Sequence, residues 1–180
     1  MAMRTKEEIL LFTSREIEIN KHYIDTLKEI IGLLDSSWDN KVLNKRLETY
    51  LNEKINHTHV FKVNLQKEYF RNYLYILINQ NEREVYSKDK SKFLGYVECS
   101  QISTYIETNK EGRILLEDTI KTIQKDIELL EKRNNIFTDT IENFDAYMAK
   151  NDEMERIIKE YRESVPYTLQ LNISVSKYYY

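Results

Sequence analysis

The chain has 180 residues, 41% of them hydrophobic and 32% charged, with 3 glycines, 1 proline and a single cysteine, Cys99. That is enough apolar material for a core, too few breakers for a loop-rich fold and one thiol too few for an internal disulfide, so wholesale disorder and a disulfide scaffold are both excluded. The net charge of -3 divides into -3 over residues 1–39, +4 over 40–101 and -4 over 102–180, an imbalance too small to mark a nucleic-acid protein by itself.

Leu10, Thr13, Ile17, Asn20, Ile24, Leu27, Ile31 and Leu34 alternate spacings of three and four, which predicts a helix over 6–34. Ile9, Phe12, Ile19, Tyr23, Ile30 and Leu33 widen its apolar stripe beyond a narrow seam. A shorter helix is expected over 40–55, with Leu43, Leu47, Tyr50 and Leu51 inward and Lys41, Lys45 and Arg46 outward. The period then drops to two. Phe61, Val63 and Leu65 alternate with polar residues, 73–78 is a continuous apolar run, and 93–99 reads as a third strand. The polar stretch 80–91 is expected only to connect the second strand to the third, giving an antiparallel meander over 57–100.

From Asn109 the helical period returns. Leu116, Ile120, Ile123, Ile127, Leu130, Asn134, Phe137, Ile141, Phe144 and Met148 form a heptad seam of ten positions, nine of them apolar. Thr108 and Glu111 have the spacing of a capping box. The long helix is expected over 108–165, either projecting from the domain or breaking near Asn151, and Pro166 ends it. Asn134 within the seam either fixes helix register or marks a turn of the face toward solvent. A closing strand over 167–177 has Leu169, Leu171, Ile173 and Val175 on one side. The fold class is therefore α+β in one domain: a small antiparallel sheet of three or four strands packed against the N-terminal helix and a very long C-terminal helix. The two helices are expected to pair as an antiparallel hairpin or within a small bundle, with self-association through the long seam as the alternative.

Residues 1–8 are charged and lack the apolar run of a signal peptide, and no stretch approaches the ~18 apolar residues of a membrane span, so the cytoplasm of a cell, or of a host cell infected by a virus, is the expected compartment. Chemistry is sparse. His57 and His59 alternate at a strand mouth without a third ligand nearby, His22 sits mid-helix, and Cys99 lacks a nucleophile signature. Gly32, Gly95 and Gly112 lie too far apart to cradle a phosphate. No catalytic residue, metal or cofactor is expected. Binding surfaces are easier to nominate. Lys41, Lys45 and Arg46 share a helix face, and Lys88, Lys90 and Lys92 alternate between Tyr86 and Tyr96, so that they share one side of an extended segment. Basic residues mixed with aromatics suit single strands or an RNA backbone. The segment 134–149 carries Asp139, Glu142 and Asp145 with no basic residue, which suits a basic protein surface. For each group the plain alternative is solvated surface.

The stretch Ser37-Trp38-Asp39-Asn40-Lys41-Val42-Leu43-Asn44-Lys45-Arg46-Leu47 resembles a segment of small proteins carried by phages and mobile elements of low-GC Gram-positive bacteria, with Asn40 where that group has Gly and Leu47 where it has Phe. The order of helices, meander, long charged helix and closing strand also resembles some anti-CRISPR proteins that inhibit Cas9. The resemblance covers eleven residues and a layout. It implies a non-catalytic inhibitor that binds a host defence nuclease such as Cas9, or its guide RNA complex, and blocks it by occupancy. The alternatives are an assembly protein dimerising through the long helix and a nucleic-acid-binding regulator.

Overall fold

The computed structural model describes residues 4–34, 45–47, 49, 61–68, 73–80, 84–97, 101–146, 153, 156, 157, 159 and 160. It is a mixed helix and strand protein. Helix α1 (Lys6–Leu34) leads, five strands follow, and helix α2 (Leu116–Glu142) closes the described elements before a 3-10 turn at Phe144–Ala146. Among the described residues no helix is long and apolar enough to cross a membrane.

Helix α1 has the bounds its periodicity predicts. Its start is fixed by a reciprocal cap. The Thr5 backbone N–H donates to Glu8 Oε2 (3.0 Å), and the Glu8 N–H donates to Thr5 Oγ1 (3.3 Å). Two orphan donors at a helix end are thereby satisfied. Phe12, Ile19, Tyr23, Leu27, Ile30 and Leu34 are buried along one face. Of the expected second helix, Lys45, Arg46, Leu47 and Thr49 are described and helical, with Leu47 buried and both cations exposed.

The strands form two sheets rather than one meander. β1 (Phe61–Glu68), β2 (Tyr73–Gln80) and β5 (Gln101–Ile106) pair antiparallel in the order β1-β2-β5. Ile78 faces Ile102 and Ile76 faces Thr104, all four buried, so one side of this sheet enters the core. β3 (Glu84–Tyr86) and β4 (Phe93–Tyr96) form a separate hairpin. The third strand expected over 93–99 thus belongs to another sheet, and 80–91 is more than a connection, since it contains β3. The closing strand over 167–177 lies outside the described residues.

Helix α2 starts at Leu116, not near Asn109. Thr108 forms a β-bridge with Ile114, and Asn109 Oδ1 accepts from the Glu111 and Arg113 backbone N–H groups (3.1 and 2.9 Å). Gly112 at φ +74° completes that tight turn. Thr108 and Glu111 therefore serve a turn, and the N-cap of the helix is Leu115, which offers no side-chain cap. The continuous helix ends at Glu142. Asn143 leaves helical geometry at φ -136°, ψ 80°, and its N–H donates to Asp139 O. At 27 residues α2 is ~40 Å long at ~1.5 Å per residue, close to the 29 residues of α1. The break expected near Asn151 comes eight residues earlier, and helical geometry is described again at Glu153, Arg156, Ile157, Lys159 and Glu160.

The helices run antiparallel. Lys6 lies over the Phe144 ring at 4.9 Å, Asn20 meets Asn134, and Lys28 pairs with Glu131 at 3.1 Å. α2 also packs on β5, so it touches a helix and a sheet at once. Two stripes of α2 are buried for that reason. One is the predicted seam, with Ile123, Ile127, Leu130 and Phe137. The other is Thr119, Thr122, Asp126, Leu129, Arg133, Ile136 and Thr140. The seam does not hold to its end, because Ile141 is 37% exposed.

Candidate functional site

Among the described residues, two buried polar contacts cross the helix interface. Asn20 Nδ2 donates to Asn134 Oδ1 at 2.8 Å, both residues buried. Each Asn occupies a position that an apolar residue fills elsewhere in its seam. A slide of one helix along the other would leave both amides unsatisfied, so the pair specifies register. Arg133 is fully buried, its guanidinium 3.4 Å from Glu16 Oε2 and 4.3 Å from the Phe137 ring centroid. The buried threonines Thr13, Thr122 and Thr140 each donate to the carbonyl four residues earlier, so their hydroxyls need no tertiary partner. These groups hold the fold together and face no solvent.

The outward-facing feature is the β3–β4 hairpin. A strand with strict alternation would put Phe93 and Tyr96 on opposite sides. Here the register shifts at Val85/Tyr86, and Leu94 and Gly95 both turn inward. This bulge brings Phe93 and Tyr96 to the same outer face as Tyr86. The three rings are 45%, 54% and 42% exposed. Phe93 stands between its neighbours, with ring centroids 5.5 Å from Tyr86 and 5.2 Å from Tyr96, both edge-to-face. The Tyr86 hydroxyl donates to Glu84 Oε2 at 2.7 Å, which holds the phenol above its ordinary range.

Arg4 makes this geometry possible. It is buried, donates to the Leu94 carbonyl at 3.0 Å and stacks on Phe12 at 3.6 Å. Gly95 sits at φ +133°, where a Cβ would stand 2.9 Å from Arg4 Nη2 and 3.4 Å from Phe12. Only glycine combines that backbone angle with that close approach. The turn is tied to the same helix end, since Lys92 Nζ reaches Glu8 Oε1 at 2.8 Å. Glu8 thus caps α1 with one oxygen and anchors the hairpin with the other.

Inside the turn Asp89 accepts from Ser87 Oγ (2.6 Å) and from the Ser91 N–H and hydroxyl (3.1 and 2.7 Å). These bonds hold its carboxyl down to about 2. Lys90 takes φ 58° to close the turn. The lysines therefore do not alternate along an extended strand, as their spacing suggests. Lys88 and Lys90 are exposed at the tip beside the rings, and Lys92 is turned back onto α1.

Of the other nominated residues, Lys45 and Arg46 are exposed on a separate helical segment, and Lys41 lies outside the described residues, as do His57, His59 and Cys99. Asp139 and Glu142 are exposed on the last turns of α2, and Asp145 on the 3-10 turn. Lys6 against Phe144 and Glu8 against Lys92 bring that acidic end and the hairpin to the same end of the helix pair. Among the described residues no group of three His, Cys, Asp or Glu could hold a metal ion. Phe93 is the contact residue that periodicity missed, because nothing but Gly95 signals the bulge. In comparisons with known proteins, no family model matches the chain, and neither a curated protein nor a solved structure matches it at a significant level.

Proposed function

We propose that the chain is a non-catalytic binding protein that works by occupancy, with the outer face of the β3–β4 hairpin as its contact surface. One observation carries this: three aromatic rings are held in solvent on a hairpin whose bulge is fixed by a buried arginine and an obligatory glycine. Exposed rings on a pre-organised support are the residues that dominate binding energies, since little conformational freedom remains to be lost. The mobile-element resemblance at 37–47, with the layout likeness to some anti-CRISPR proteins, suggests the partner class, a host defence nuclease such as Cas9 with its guide RNA.

The test is DNA cleavage by a Cas9–guide complex titrated with this protein. Activity is expected to fall in proportion to added protein and to vanish near equimolar. The triple variant His57→Ala/His59→Ala/Cys99→Ala is expected to inhibit as well as the natural chain, whereas Tyr86→Ala/Phe93→Ala/Tyr96→Ala is expected to lose inhibition with its thermal melt unchanged. Inactivation at a small fraction of equimolar would point to chemistry and overturn the reading. A dimer through the long seam has less support, because Ile123, Ile127, Leu130 and Phe137 are already covered within one chain.

A further inference from the structure

We infer that the hairpin face takes single-stranded nucleic acid, with bases stacked on Tyr86, Phe93 and Tyr96 and phosphates held by Lys88 and Lys90. This deepens the proposed function and rests on its choice of contact surface. Three features of the face fit that ligand.

The first is ring placement. Each edge-to-face contact covers one face of one ring only, so three rings that are 42–54% exposed keep faces for a base, and base–aromatic stacking needs an open face rather than a pocket. The bulge is what gathers three rings instead of two on one side of a two-stranded ribbon. The second is charge. Lys88 and Lys90 project from the tip, one turn from the rings, and both are exposed. The hairpin's own acids are bonded within it, Asp89 to Ser87 and Ser91 and Glu84 to the Tyr86 hydroxyl. Lys92, which faces Glu8, is not available to a phosphate in the same way. The third is the boundary of the site. Asp139, Glu142 and Asp145 share this end of the molecule and repel a polyanion, so a strand runs across the hairpin and not along α2. The site therefore takes only a few nucleotides, and its salt dependence is shallow. Two phosphate contacts on a single strand give a slope of about -1.4 in log K against log salt, at about -0.7 per contact.

The experiment is fluorescence anisotropy of fluorescein-labelled rU20 and dT20 with the full chain at two salt concentrations. The two oligonucleotides tell an RNA site from a general single-strand site. Binding of either is expected, with a slope near -1.4. Lys88→Ala/Lys90→Ala is expected to bring the slope close to zero. Tyr96→Leu keeps an apolar group but removes the ring, and is expected to weaken binding by about fivefold or more, whereas Tyr96→Phe binds like the natural chain. No binding by the natural chain, or equal binding by Tyr96→Leu, overturns the inference. The cleavage titration separates the two failures. If the triple ring variant loses inhibition while the natural chain binds neither oligonucleotide, the face contacts protein, and the proposed function stands without this inference. If the triple ring variant still inhibits, the hairpin is not the contact surface and both fall.

Discussion

At the scale of single residues, the buried polar groups between the helices contribute specificity more than stability. A buried ion pair gains Coulomb energy but loses the hydration of both ions, so its removal as a pair is often close to neutral. Loss of one partner is different, because the other is stranded without water. Arg133 lies fully buried against Glu16 and over Phe137. Arg133→Met keeps most of the side-chain volume and is expected to cost about 3–5 kcal/mol, since the Glu16 carboxylate stays buried. The double variant Glu16→Gln/Arg133→Met is expected to recover most of that loss. Urea unfolding of the natural chain, both single variants and the double variant checks this. Single costs that simply add would show that the two side chains do not interact.

At the scale of elements, the hairpin is held by short-range bonds that report on pH. The Ser87 hydroxyl and the Ser91 donors favour the charged form of Asp89, so its carboxyl titrates near 2 instead of the ordinary 3.8. A carboxyl lowered on folding supports the turn fully above pH ~4, and that support disappears as pH falls through about 2. The Asp89 carboxyl carbon followed by NMR is expected to titrate with a midpoint near 2, with the Ser91 amide shifting in step. A midpoint near 3.8 would mean that the turn is not closed in solution. The elements also show what the sequence could reveal. α1 was legible to its end residues because three-four spacing sustained from Leu10 to Leu34 outweighs any local ambiguity. The core of α2 was legible over Ile123–Phe137 for the same reason. Its second buried stripe was not, because Thr119, Asp126 and Arg133 carry no apolar signal, and only the packing of α2 on both α1 and β5 buries a face that wide. The start of α2 is obscured in the sequence because Thr108 and Glu111 have cap spacing, while Asn109 and Gly112 supply a competing turn. The candidate site was half legible. Its lysines and two tyrosines stood out, but the bulge that adds Phe93 depends on Arg4, ninety residues away in the chain from Leu94.

At the scale of the whole molecule, two helices of nearly equal length cover each other, and neither α1 nor α2 projects as a long rod. The same heptad seam then predicts opposite outcomes at two of its own positions. Leu130 is fully buried at the middle of α2, whereas Ile141, near the helix end, is 37% exposed. An aspartate at Leu130 forfeits about 2 kcal/mol of side-chain burial and adds a desolvated charge worth more than that. Domains of this size are stable by only about 5–15 kcal/mol, so Leu130→Asp is expected to abolish cooperative folding or reduce it to a remnant. Ile141→Asp gives up less burial and leaves the new carboxylate within reach of water, so it is expected to cost about 1–2 kcal/mol and to keep the chain folded. Had the seam joined two chains, Leu130→Asp would release folded, helical monomers of 21.8 kDa. Circular dichroism and sedimentation equilibrium on the two variants decide between these arrangements. A helical, folded Leu130→Asp monomer would mean that the seam pairs between chains rather than within one.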